Sequence, residues 1–321
     1  MRVGVLMGGW NSEREVSLAS GKSVTKALIA AGYRAVPFDL TGADRNGKRL
    51  REKLQKARLD AAFIVLHGGW GEDGGCQALL EGMGLPYTGP GPLACGLAMQ
   101  KACAKLVFEA NGIPTAPWQA VHRKEYRPAA VLQDLKVRLP LVVKPADSGS
   151  AVGVSLVKQA KDLPAAFRKA FKESPWALVE KYLSGVEVTV GVLGREALPV
   201  IEIVPQNEFY DYDAKYTPGH SQHLLPARLP AGVRRRVQQL ALKAGESLGC
   251  EGYWRADFIV PRKGKAWGEP QILEVNTVPG FTDTSLFPEA AKAVGYPMPK
   301  LVRTLVTMAV KGRKTKGKQA A

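Results

Sequence analysis

The chain has 321 residues, 45% of them hydrophobic, which is enough to bury more than one core and matches the length of two or three domains. Its 45 lysines and arginines exceed its 29 acids to give +16, a charge that nucleic acid, nucleotide or carboxylate partners would all satisfy. No apolar run approaches the roughly 20 residues of a membrane span and the N-terminus has no secretory pattern, so a cytoplasmic protein without membrane partners is expected.

Val3 to Met7 predicts a strand that runs into Gly8-Gly9-Trp10-Asn11-Ser12-Glu13-Arg14-Glu15, with a helix following to about Ala31. Free N–H groups at a helix start favour acids there, so Glu15 fits either that electrostatic role or the binding of a substrate ammonium. Arg34 to Asp39 and Ala61 to Leu66 complete an alternation of strands and helices that predicts a parallel sheet. The third strand opens into His67 to Gly75, too rich in glycine for a regular element and placed where parallel sheets bind ligands.

Pro86 and Gly89-Pro90-Gly91-Pro92 punctuate the chain before helical material from Leu93 to Glu109, which puts a first domain boundary near 97–100. Two phosphate-binding signatures fail. Gly21-Lys22-Ser23 ends like a P-loop, but Val16 stands where its first glycine is required; Gly89 to Ala94 fits G-x-G-x-x-A but carries two prolines and follows no strand. Cys76, Cys95, Cys103 and Cys250 form no C-x-x-C pair and read as reduced thiols.

Leu139 to Lys144 predicts a strand leading into the small-residue loop Ala146 to Gly153 and a second strand, Val154 to Val157. Such a loop is either an ordinary turn or, beside Lys144, a set of backbone donors for phosphate. Leu178 to Tyr182 is a further strand, and Leu183-Ser184-Gly185 marks a second boundary. Alternation in Val186 to Val190 and Leu198 to Val204 predicts half-buried antiparallel strands. The long loop Pro205 to Pro226 has the length of a lid, and its His220 and His223, beside Pro218-Gly219 and without a third ligand, read as loop residues and not a zinc site.

Arg255 to Val260 and Ile272 to Asn276 carry the clearest chemistry. With a strand period of two, Arg255 and Asp257 share one face and Glu274 and Asn276 another, while Phe258, Leu273 and Val275 point away. If the strands pair, two carboxylates and an amide oxygen cluster as Mg²⁺ requires, with Arg255 available for developing negative charge; a surface ion-pair ladder fits the same pattern. Five of the excess charges, Lys311, Arg313, Lys314, Lys316 and Lys318, stand in an acid-free tail that reads as disordered, leaving +11 for the body.

In order and spacing, Gly8-Gly9…Glu13-Arg14-Glu15-Val16-Ser17, His67-Gly68-x-x-Gly71-Glu72-Asp73-Gly74, Pro86-Tyr87-Thr88-Gly89, Lys144-Pro145, Glu180-Lys181-Tyr182, Phe209-Tyr210-Asp211-Tyr212…Lys215-Tyr216, Arg255-x-Asp257-Phe258 and Glu274-Val275-Asn276-Thr277-x-Pro279-Gly280…Ser285-Leu286 resemble the D-alanine:D-alanine ligases over residues 1 to about 305. The resemblance implies an α/β and α+β, three-domain ATP-grasp fold: a parallel-sheet domain over 1–98, a central subdomain over 99–184, and a catalytic domain over 185–321 with lid 205–226 and basic tail 311–321.

It implies ATP and two D-alanines as substrates, two Mg²⁺ (or Mn²⁺), a homodimer, no nucleic-acid partner, and a place in peptidoglycan precursor synthesis; a D-alanine:D-lactate or other D-amino-acid ligase is the alternative. By matching position, Lys101, Lys144 and Lys215 are expected at phosphates, Glu180, Lys181 and Leu183 at adenine, and Glu187 at ribose. Asp257, Glu274 and Asn276 match metal ligands. Glu15 and His67 match contacts of the first D-alanine, and Ser285 and Leu286 those of the second. Arg255 and the Gly280 N–H match the oxyanion donors, and Ser150 with Tyr216 the pair that ties the lid to Glu15. Ser148 and Ala151 depart from the usual Glu and second Ser of the phosphate loop, Asn11 from a usual Ser, and Phe281 from the common Met.

Overall fold

The computed structural model describes residues 1–45, 47–128, 131–149, 152–205 and 221–319. Strand β1 (Arg2–Gly8) pairs in parallel with β2 (Arg34–Leu40) on one side and β3 (Ala61–Ile64) on the other. Helix α1 (Arg14–Ala30) lays Val24, Ala27 and Leu28 on one face of this sheet, against Val3 and Val5. On the other face, Leu50 and Leu54 of α2 (Lys48–Ala57) and Leu80 of α3 (Gly75–Gly82) meet Leu6, Ala62 and Ile64. Burial on both faces explains why these short strands read as continuous apolar runs.

The helical segment expected over 93–109 is two helices, α4 (Pro92–Met99) and α5 (Lys101–Ala110). Gln100 breaks it: at φ −80° and ψ 86° it leaves the helical region, and the Lys101 N–H turns out to the Ala146 carbonyl at 2.8 Å. Strand β4 (Trp118–His122) and the short α6 (Val131–Asp134) lead to an antiparallel sheet completed by β5 (Leu141–Pro145), β6 (Ser155–Val157) and β7 (Trp176–Lys181), in the order β4-β7-β5-β6. Phe167, Ala170 and Phe171 of α7 (Leu163–Glu173) bury its inner face.

The third sheet has seven strands. In it β8 (Gly185–Leu193) carries β9 (Glu196–Ala197) and β10 (Ile201–Pro205), and β10 carries β11 (Ser221–Leu224); β12 (Tyr253–Lys263) pairs with β8, β13 (Ala266–Trp267) and β14 (Gln271–Asn276). Helix α8 (Ala231–Ser247) packs on it through Val237, Leu240 and Ala244, α9 (Leu286–Ala293) lies against β8 through Phe287, and α10 (Met298–Gln319) returns to the first sheet, where Leu301, Val302 and Leu305 join the α1 core.

Three expectations are corrected here. The stretch 205–226 is not all loop: Pro205 closes β10 and residues 221–224, with His223 among them, pair antiparallel to β10; Leu225 and Pro226 follow outside any strand, and 206–220 lie outside the described residues. The strand expected over 198–204 runs from Ile201 to Pro205. The tail is helical through Gln319, because α10 starts as a buried amphipathic helix and its Lys- and Arg-rich continuation contains good helix formers and no proline to stop it. Among the described residues no helix is long and apolar enough to cross a membrane.

Candidate active site

Two cavities abut where the sheets meet, and Lys101, Gly149 and Glu274 line both. The smaller, about 360 Å³, lies between the four-stranded and seven-stranded sheets. Lys144 from β5 and Glu180 and Lys181 from β7 face it on one side, with Leu183 following; Glu187 from β8 and Asp257 from β12 face it on the other. Glu180 is opposite Val142 in register, so Glu180 and Lys144 sit diagonally on one face and pair at 2.5 Å. Lys105 pairs with the second Glu180 oxygen at 2.6 Å. Burial alone would push the Glu180 carboxyl up; the two ammonium groups override it and hold it down at about 2. Lys181 aims its amine at the carbonyls of Arg138 and Leu139.

The larger cavity, about 460 Å³, gathers residues from all parts of the chain. Exposed Glu15 projects from the first turn of α1, His67 follows β3, Arg255 and Asn276 come from β12 and β14, and Gly280, Ser285 and Leu286 lead into α9. His67 is buried with both ring nitrogens engaged: Nδ1–H donates to the Val278 carbonyl at 3.0 Å, and Nε2 is hydrogen-bonded with the Ser20 hydroxyl at 3.2 Å. The same Ser20 oxygen accepts the Phe281 N–H at 3.2 Å. Phe281 itself is in the core against Phe63, Tyr253 and Phe287, so its departure from the common Met is a packing change and not a cavity one. A Cβ at Gly280 would come within 2.7 Å of Ser285 Oγ, so a side chain there would displace that hydroxyl. That hydroxyl accepts the Thr282 N–H at 2.9 Å and thereby fixes the entry to α9.

At the junction, Asp257 pairs in register with Glu274, and Arg255 with Asn276. The strand pairing on which the oxygen cluster depended is therefore present. Arg255 grips Asp257 with Nε to Oδ1 at 2.9 Å and Nη2 to Oδ2 at 2.8 Å, while Thr189, its neighbour on β8, donates to Oδ1 at 2.6 Å. Oδ1 is thus filled and Oδ2 keeps a lone pair. Hard oxygen donors on two carboxylates and one amide, with a position open on Asp257, fit a divalent cation that retains other sites for phosphate.

Ser150, Lys215 and Tyr216 lie outside the described residues. Every other expected site residue lines one of the two cavities. Sequence reasoning missed four contributors. Glu13 is buried at the larger cavity beside Gly68 and Gly149, where a Cβ at Gly68, already disfavoured by its φ of +67°, would displace the Glu13 carboxylate. His223 reaches the same cavity and pairs with Glu289 of α9 at 2.8 Å. Thr189 was signalled by alternation with Glu187 on β8, and Lys105 by its position one turn after Lys101 on α5.

Residues 42–90 match the family model described as the D-ala D-ala ligase N-terminus and residues 107–307 that of the C-terminus. The chain is 48% identical to a D-alanine–D-alanine ligase of Geotalea uraniireducens over 96% of this chain and 95% of that one, and 46% identical to one of Pelotomaculum thermopropionicum over 97% of each. Among solved structures it superposes on the Bacillus anthracis D-alanine–D-alanine ligase complexed with ATP with a TM-score of 0.83 and 32% identity, covering 98% of this chain and 99% of that one. The D-alanine–D-alanine ligase of Coxiella burnetii gives 0.85 at 28% identity, with 100% and 97% covered. The fold is that of an ATP-grasp enzyme. The chain belongs to the D-alanine–D-alanine ligase family.

Proposed function

We propose that the protein joins two D-alanines at the expense of ATP, in two transfers across the junction of the cavities, to supply peptidoglycan precursors in the cytoplasm. The observation that carries this reading is the shared wall: a cavity lined by Lys101 and Lys144 meets one lined by Glu15, Arg255 and Ser285 at the Asp257–Glu274 pair. A carboxylate is a poor electrophile. In the first transfer, an oxygen of the first D-alanine attacks the γ-phosphorus and ADP leaves; in the second, the amine of the second D-alanine attacks the acyl carbon and phosphate leaves.

In this reading Lys101, Lys144 and Lys215 hold phosphates, Glu180, Lys181 and Leu183 the adenine, and Glu187 the ribose. Glu15 and His67 orient the first D-alanine, Ser285 and Leu286 the second, and Arg255 with the Gly280 N–H stabilises the charge that develops on the acyl oxygen. Ser150 and Tyr216 act as the link between the 205–226 segment and Glu15. Asp257, Glu274 and Asn276 would hold two Mg²⁺ or Mn²⁺, which neutralise phosphate charge when bound. The functional divisions are 1–98, 99–184 and 185–321, and the working state is a homodimer.

ADP release measured side by side with D-alanine, L-alanine and D-lactate as acceptors tests this. Turnover is expected with D-alanine and not with L-alanine. Preference for D-lactate would replace the reading by the ester-forming one.

A further inference from the structure

Lys105 is fully buried and lines neither cavity. Its ammonium stands 2.6 Å from Glu180 Oε1 and donates to Thr115 Oγ1 at 2.5 Å; the Thr115 hydroxyl donates in turn to the Ile272 carbonyl at 2.9 Å. On the other side of the carboxylate, Lys144 Nζ stands 2.5 Å from Oε2. Glu180 thus has one cation on each oxygen, of which only Lys144 faces the cavity. A lysine that turns to a phosphate has to loosen its hold on Glu180, and a carboxylate that is 4% exposed then needs another counter-ion or a proton.

We propose that Lys105 is the fixed counter-ion of Glu180, and so a positioning residue that frees Lys144 to exchange between Glu180 and a nucleotide phosphate. The proposal rests on the reading that the smaller cavity takes ATP. Thr115 and the surrounding core keep Lys105 from following Lys144 outward. The charged groups facing the pair are Lys144 from β5, Glu180 from β7 and Glu109 from α5 itself. Burial pushes the Lys105 ammonium down; Glu180 opposes this and the like charge of Lys144 adds to it. Departure of Lys144 removes that repulsion, so Lys105 holds its proton more firmly when Glu180 depends on it alone.

The test is calorimetric titration of the full chain with ATP and MgCl2 at pH 8, in two buffers of different ionisation enthalpy, which counts the protons exchanged. In Lys105→Met, Glu180 is expected to take up close to one proton more per ATP than in the wild type. ATP affinity should fall about tenfold or more and weaken further, by up to about tenfold per unit, as pH rises. A side chain that merely filled space would not move the proton count. An equal proton count and equal affinity in a folded variant would overturn the proposal, whereas absence of ATP binding by the wild type would sink the nucleotide reading beneath it. Should Lys105→Met not fold, the double variant Lys105→Met/Glu180→Gln, which has no carboxylate to neutralise, is expected to fold and to bind ATP without the extra proton; failure of the double variant to regain folding would likewise overturn the proposal.

Discussion

Asp257 on β12 stands opposite Glu274 on β14, and Lys101 approaches Glu274 from α5 to 3.5 Å. Lys101, whose side chain is 9% exposed, keeps the Ser148 carbonyl at 2.7 Å as a partner when Glu274 is neutralised. Glu274→Gln is therefore expected to lower turnover by at least about tenfold with little change in thermal midpoint, because it removes a negative oxygen from the proposed metal set and preserves shape. ADP release across a magnesium titration reads the effect, and unchanged release at every concentration would refute the ligand assignment.

Ser20 should separate the two substrates. Its hydroxyl joins His67 to the Phe281 N–H, beside Gly280, and reaches nothing in the smaller cavity. Ser20→Ala leaves two buried groups short of a partner, for a stability loss of about 1–3 kcal/mol. At temperatures where the variant is folded, the KM for D-alanine is expected to rise about threefold to tenfold while the KM for ATP stays constant. Equal shifts in both constants would contradict this division.

Acid should act through Glu180. Its carboxyl is held down at about 2 against an ordinary value of 4.5, so the folded state binds this proton less readily than the unfolded one. The resulting stabilisation is complete above about 4.5 and is lost as pH falls toward 2, on the order of 3 kcal/mol over that window. A carbon-detected NMR titration, with the Glu180 signal assigned by its absence in Glu180→Gln, checks the direction: a midpoint at or above 4.5 would be the wrong sign.

Removal of residues 311–321 is expected to leave D-alanine ligation within about twofold of the full chain. Among the described residues, the last buried side chain of α10 is Val306 and neither of the two cavities includes a residue beyond Leu286. A large fall in kcat at equal folded fraction would show that the basic end has a part in catalysis.

Much of the site was legible because strand alternation is a strict rule. A period of two placed Arg255 with Asp257 and Glu274 with Asn276, and pairing of the two strands did the rest. Contributors that act from behind the wall were harder to see. Lys105 reads as an ordinary helix surface residue until α5 is packed against Thr115 and Glu180, and His223 was assigned to a loop because Pro218-Gly219 outweighed the short alternation after it. Composition misled at the C-terminus, where basic, acid-free sequence reads as disordered but also contains good helix formers that extend an anchored helix.

The wall shared by the cavities has a thermodynamic consequence. Lys101 stands 3.5 Å from Glu274 and donates to the Ser148 carbonyl at 2.7 Å, while its backbone N–H is fixed to Ala146, so one residue forms part of the wall of both cavities. With nucleotide and D-alanine placed in the two cavities as proposed, their binding energies are coupled through this residue, and linkage makes the dependence reciprocal: the factor by which nucleotide changes the affinity for D-alanine equals the factor by which D-alanine changes the affinity for nucleotide.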